Sequence, residues 1–121
     1  MLDPQNFSVY ANNTTDVTID IDPDNGITLV GATIVWNVYE QEFGQPLFDV
    51  DPVIRKDNGV NGTIVVTDPN LQKLKIPLTP DDTVALLRNY YHEATVVDLN
   101  RGQITVANGI MTVLGTENRP V

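Results

Sequence analysis

The chain has 121 residues, with 7 Lys and Arg against 16 Asp and Glu, a net charge of −9, no cysteine and one histidine, His92. These counts exclude a disulfide framework, a Cys-ligated metal, a Cys nucleophile and any motif that needs two histidines in one chain. They also disfavour nucleic acid as a partner, because a phosphate backbone is bound by Lys and Arg and repelled by an acidic surface.

Val, Ile and Thr dominate the sequence, while Ala, Glu and Lys are scarce. β-Branched side chains are stiff at χ1 and suit a pleated surface, so strands are expected. Phe7 to Tyr10 reads as a first short strand. From Asp16 to Asp22, Val17, Ile19 and Ile21 alternate with Thr18, Asp20 and Asp22, the period of a half-buried strand. Pro23-Asp24-Asn25-Gly26 predicts a turn, and Ile27-Thr28-Leu29 a short segment before Gly31. Ala32 to Glu40 is the strongest strand, with Ile34, Trp36 and Val38 on one face and Thr33, Val35, Asn37 and Tyr39 on the other. Gln41 to Gln45 predicts a loop with Gly44 at its tip. Pro52 breaks Leu47 to Lys56 into an edge strand or two fragments.

Asp57-Asn58-Gly59 and Asn61-Gly62 predict turns, and Thr63 to Thr67 a strand. Lys73 to Thr79 alternates, with Leu74, Ile76 and Leu78 inward, and Pro77 marks an edge. Thr79-Pro80-Asp81-Asp82 then has the form of a helix start: a cap, a proline at the first position and two acids at the positive end of the dipole. One short helical turn near 80–88 is expected. Tyr90 to Leu99, Gln103 to Ala107 and Ile110 to Leu114 predict three strands of a meander. Asn100-Arg101-Gly102 and Asn108-Gly109 would be its turns. Seven to nine short strands punctuated by turns predict an all-β, immunoglobulin-like antiparallel sandwich without the inter-sheet disulfide. One domain spanning 1–121 is expected, with loose ends at about 1–5 and 115–121. The expected core comprises Trp36, Ile34, Val38, Leu74, Ile76 and Tyr91.

Few residues carry recognisable chemistry. Asp20, Asp22 and Asp24 are weak candidates for oxygen ligands of Ca²⁺. The EF-hand spacing fails, because Ile21 stands where its first acid belongs if Gly26 is the sixth residue. His92 is the sole candidate general base. Ser8, the only serine, lies far away in sequence and in no nucleophile elbow, so a structural histidine is expected, with no catalytic residue and no cofactor. Tyr10, Tyr39, Tyr90, Tyr91, Phe43 and Phe48 are candidates for a sugar platform or, more in keeping with their usual use, for core and interface. Phe43, Phe48, Pro52 and Pro77 are the interface candidates. No stretch is long and apolar enough to span a membrane, and the first six residues lack the features of a secretory signal.

The segment Leu29-Val30-Gly31-Ala32-Thr33-Ile34-Val35-Trp36-Asn37-Val38-Tyr39 resembles a strand of small phage proteins that follows a Gly-Ala pair and carries an aromatic at its middle. Leu78-Thr79-Pro80-Asp81-Asp82-Thr83 resembles their L-T-P-x-D-T turn. Tyr90 to Ala94 and Val96 to Asp98 resemble the strand that follows. Gly102 to Val106 and Gly109 to Val113 resemble the closing hairpin, and Arg119 an arginine just after it. Residues 15–119 are thus similar to the Ig-like phage virion family that includes the N-terminal domain of baseplate upper proteins. That resemblance implies a non-enzymatic structural or assembly protein of a phage or prophage particle, associated with tail, baseplate or connector. It would be made in the bacterial cytoplasm and assembled with other phage structural proteins in a homo- or hetero-oligomer, with neither nucleic acid nor membrane as partner. A carbohydrate-binding or adhesion module, with or without Ca²⁺, is the alternative.

Overall fold

A computed structural model describes residues 4–21, 29, 32–59, 62–68, 73–86, 88–98 and 102–115. Among these residues the alternating segments form β1 (Phe7–Tyr10), β2 (Thr15–Asp20), β3 (Thr33–Tyr39), β4 (Gln41–Glu42), β5 (Gln45–Pro46), β6 (Ile54–Asp57), β7 (Val65–Asp68) and β8 (Lys73–Leu78). The helical turn α1 (Pro80–Thr83), β9 (Asn89–Asp98) and β10 (Gly102–Leu114) follow. A five-stranded sheet runs β1-β10-β9-β3-β6 and a three-stranded sheet runs β2-β8-β7, while β4 and β5 pair only with each other. Strands β2, β8 and β7 occupy the B, E and D places of an immunoglobulin-like sandwich. Strands β3, β9 and β10 take the C, F and G places, with β6 as an added edge strand. The pairing is antiparallel except at β1, which lies parallel to β10.

The core fills the space between the two sheets. Ile34, Trp36 and Val38 of β3 and Ala94 and Val96 of β9 meet Ile19 of β2 and Leu74, Ile76 and Leu78 of β8, all with no exposed surface. Each of the Val, Leu and Ile side chains among them stabilises the fold by about 1.5–3 kcal/mol relative to leaving it in water. One strand register places the inward residues of β9 at even numbers, so Tyr90 is buried and Tyr91 is not. The expectation of Tyr91 in the core is therefore corrected: its ring lies half-buried on the outer face, one residue out of phase with the core.

Three further expectations change. First, Asn108-Gly109 is not a turn, because β10 runs unbroken through it. A β-bulge between Thr105 and Ala107 shifts the register against β9, so Val106 and Ala107 both point inward. The shift brings Met111 and Val113 into the core. Second, Pro77 is not on an edge strand, since β8 lies between β2 and β7. The proline is tolerated because pairing with β7 begins only at Lys75, so the β7 flank of Pro77 is open. Pro52 precedes β6, which is an edge strand. Third, α1 stops at Thr83, whose buried hydroxyl accepts the Asn12 N–H at 3.0 Å. Its start is as expected: the Asp82 carboxylate accepts from the Thr79 N–H at 2.7 Å and from Lys56 Nζ at 2.9 Å.

The chain start is also tighter than expected, for Gln5 is not loose. Its N–H donates to Asn108 O at 2.8 Å, and its carbonyl lies 2.6 Å from His92 Nε2. Its side-chain amide pairs with the backbone of Asp20, donating at 2.6 Å and accepting at 3.0 Å. Gln5 thereby joins the five-stranded sheet to β2 of the other. At the opposite end, Gly115 is buried rather than free. Residues 1–3 and 116–121, Arg119 among them, lie outside the described residues, as do the expected turn at 23–26 and the first two residues of the expected turn Asn100-Arg101-Gly102, whose Gly102 opens β10 with φ +77°.

Gly109 explains how Gln5 comes so close. A Cβ there would strike the Gln5 carbonyl oxygen and lie 2.6 Å from its carbon. Gly109→Ala should therefore displace the first strand and lower stability by about 1–3 kcal/mol, the usual cost of overpacking. A calorimetric melt, with hydrogen exchange at Phe7–Tyr10, tests this; an unchanged Tm and unchanged protection would refute it.

Candidate functional site

His92 sits in the middle of β9 with no exposed surface. Its Nδ1 accepts from Trp36 Nε1 at 3.2 Å, and its Nε2 faces the Gln5 carbonyl at 2.6 Å. The indole only donates and the carbonyl only accepts, so the ring is neutral with its proton on Nε2. Phe7 packs 4.9 Å and Trp36 5.9 Å from the ring, centroid to centroid. Burial holds the imidazole pKa below its ordinary value, and the Gln5 carbonyl opposes this only in part. Both ring nitrogens are occupied, so neither is available to take a substrate proton. Ser8 points to the exposed side of β1, away from the histidine. This is a structural network that links β3, β9 and the chain start.

The exposed chemistry lies elsewhere, on the segment between β3 and β6. β4 and β5 form a two-residue hairpin whose tip is Phe43-Gly44. Phe43 has φ +53° and Gly44 φ +77°, the left-handed pair of a type I′ turn. Asn-Gly would fit that turn without strain, whereas a phenylalanine there costs about 1–2 kcal/mol. Phe43 is nonetheless 95 % exposed and has no packing role. A bulky aromatic held in a strained conformation and in water is a feature of binding loops.

Phe48 follows on the same segment and is 57 % exposed. It stands edge-on to Tyr39 of β3 at 5.1 Å and to Tyr91 of β9 at 5.6 Å. The Tyr91 hydroxyl donates to Glu93 Oε2 at 3.1 Å. Burial, with the Glu93 charge second, pushes the Tyr91 phenol up to about 12 and raises Tyr39 as well, so both remain hydroxyl donors. Asn37 Oδ1, on the same outer face, is buried without a hydrogen-bond partner among the described residues. The segment is anchored by Leu47 N–H to Glu40 O at 2.9 Å and Val53 N–H to Val38 O at 2.8 Å. Arg88 fixes Glu40 at 2.9 Å.

Of the interface candidates, the structure brings Phe43 and Phe48 onto one segment, with Tyr39 and Tyr91 beneath Phe48. Pro77 is on the other sheet. The aromatic candidate Tyr90 is buried and cannot serve a platform. Of the weak metal candidates, Asp20 is paired with Lys73 at 3.0 Å, and Asp22 and Asp24 lie outside the described residues. Among the described residues no three acidic or histidine side chains gather in metal-binding geometry. The sequence reading missed Asn37 and Gln5. Asn37 was legible only as an outward residue of β3, and no local signal marks Gln5.

Two outcomes follow from these contacts. The unfolded chain takes up a proton on His92 below about pH 6.5, where the fold resists it, so stability should fall as pH drops through that value. His92→Gln should lose this slope between pH 7.5 and 5.5 in thermal melts; an equal slope in both proteins would refute the assignment. Phe43→Asn should relieve the turn and raise stability by about 0.5–1 kcal/mol, visible as a higher urea midpoint; a lower midpoint would show that the ring supports the fold. No family model and no curated protein matches the chain, which leaves the geometry of the hairpin tip as the guide to function.

Proposed function

We propose that this chain is a non-enzymatic assembly protein of a phage or prophage particle, associated with tail, baseplate or connector, that works by burying a protein–protein interface. It would be made in the cytoplasm of the bacterial host and assembled with other structural proteins of the particle. The observation that carries the interface is Phe43, 95 % exposed on a strained turn of the same segment as Phe48. Exposed aromatics that desolvate on docking are the usual anchors of protein interfaces. The placement of the interface in a phage particle rests on the resemblance of residues 15–119 to Ig-like virion proteins.

Docking through the tip fits the molecule better than addition of a strand. The Gln5 amide covers the free edge of β2 at Asp20. Side chains that occupy edge groups in this way discourage pairing with another chain. The carbohydrate alternative is best served by several rings set in one plane, whereas Phe48 stands at 80° to Tyr39 and 86° to Tyr91.

Particles purified from a producing strain should contain the wild-type chain, detected by mass spectrometry, while Phe43→Ser should remain soluble and absent from them. Absence of the wild-type chain from particles, or specific sugar binding on a glycan array that is lost on Phe43→Ala, would overturn the proposal.

A further inference from the structure

Charge narrows what can cover the tip. Residues 40–53 contain four acids, Glu40, Glu42, Asp49 and Asp51, and neither Lys nor Arg. Arg88 neutralises Glu40. Glu42, Asp49 and Asp51 are exposed, and among the described residues they form no ion pair. They are interleaved with Phe43, Phe48 and Val50, each about half exposed or more. Glu93 adds a fifth carboxylate beside Tyr91.

We infer that the tip receives a basic segment of a partner protein, in which Arg or Lys side chains stand next to an apolar residue. The inference rests on the docking role proposed above for Phe43. The apolar residue would cover Phe43 and Val50. A guanidinium or ammonium would lie over an aromatic face, where the ring quadrupole attracts it, with a rim carboxylate as its counter-ion. The unpaired rim would also steer a cationic partner toward the tip. Other occupants fit less well. A second copy would bring its own −9 charge and the same acidic rim against this one. A nucleic acid would be repelled outright.

The test is a displayed library of random short peptides, selected in parallel on the full chain and on its Phe43→Ser variant. Peptides enriched by the wild type alone should carry Arg or Lys beside an aromatic or aliphatic residue. Their affinity should fall about tenfold or more between low and high salt, and by a similar factor in the Glu42→Lys, Asp49→Lys double variant. Both acids are exposed and unpaired, so that variant should keep the wild-type Tm, which a melt verifies. Wild-type-specific peptides that are neutral, acidic or insensitive to salt would overturn the basic partner while leaving the docking role standing. A library that never distinguishes wild type from Phe43→Ser would overturn both. Self-association of the wild type that Phe43→Ser abolishes would make a second copy the occupant and overturn the inference.

Discussion

The chain from Trp36 through His92 to Gln5 is the contact on which the rest of the sandwich depends. A sandwich of two sheets is held mainly by apolar packing, and antibody domains add a disulfide between the B and F strands that packs on a tryptophan of strand C. This protein has no cysteine. Trp36 stands on the strand in the C place, and His92 on the strand in the F place receives its indole N–H. Gln5 then accepts from His92 through its carbonyl and reaches across to Asp20 through its side chain. Polar contacts therefore link the sheets, and every polar atom of the link has a partner. A buried polar chain that is fully satisfied in this way fixes one arrangement, because any slip strands a donor or an acceptor in the core.

That link imposes conditions elsewhere. Gln5 can lie against β10 only where the strand lacks a side chain, at Gly109. Gly109 must pair with His92, and the bulge near Val106 sets the register in which it does. The same bulge turns Met111 and Val113 inward and leaves Asn108, Ile110 and Thr112 on the outer face. The chain start, the last strand and the buried histidine thus form one unit, although they lie at opposite ends of the sequence. At the other end of β3, the constraints are looser. The segment with Phe43 and Phe48 is tied by a few backbone hydrogen bonds and the Arg88–Glu40 pair. Exposed ion pairs of this kind contribute about 0–1 kcal/mol. A firm sandwich with a lightly tied, aromatic and acidic projection suits a molecule that docks with its tip and keeps its body unchanged.

Much of the architecture was legible from residue order alone. The alternation in β2, β3 and β8 gives both the strands and their inward faces, since side-chain direction in a strand is fixed by parity. Trp36, Ile34, Val38, Leu74 and Ile76 are buried for that reason. The acidic, proline-led start of α1 is likewise a local signal, satisfied by atoms within four residues. Phe43 was visible as a loop residue beside Gly44, whereas Phe48 fell in the stretch that Pro52 breaks into an edge strand or two fragments.

What the tertiary structure decided concerns phase and long-range contact. Asn-Gly is a turn signal by local conformation, but at 108–109 the glycine serves the close passage of Gln5 and the strand continues. Tyr90 and Tyr91 are adjacent and alike in composition, and only the register against β3 and β10 selects Tyr90 for the core. Pro77 marks an open flank in the middle of a sheet because β7 happens to end before it. The role of Gln5 depends on partners at 20, 92 and 108, none of them near it in sequence. Composition and alternation determine that this chain makes a two-sheet sandwich, because they act through the nearest neighbours of each residue. Which glutamine clamps it, which tyrosine faces water and which phenylalanine stands out from it depend on strands that meet only once the chain has folded.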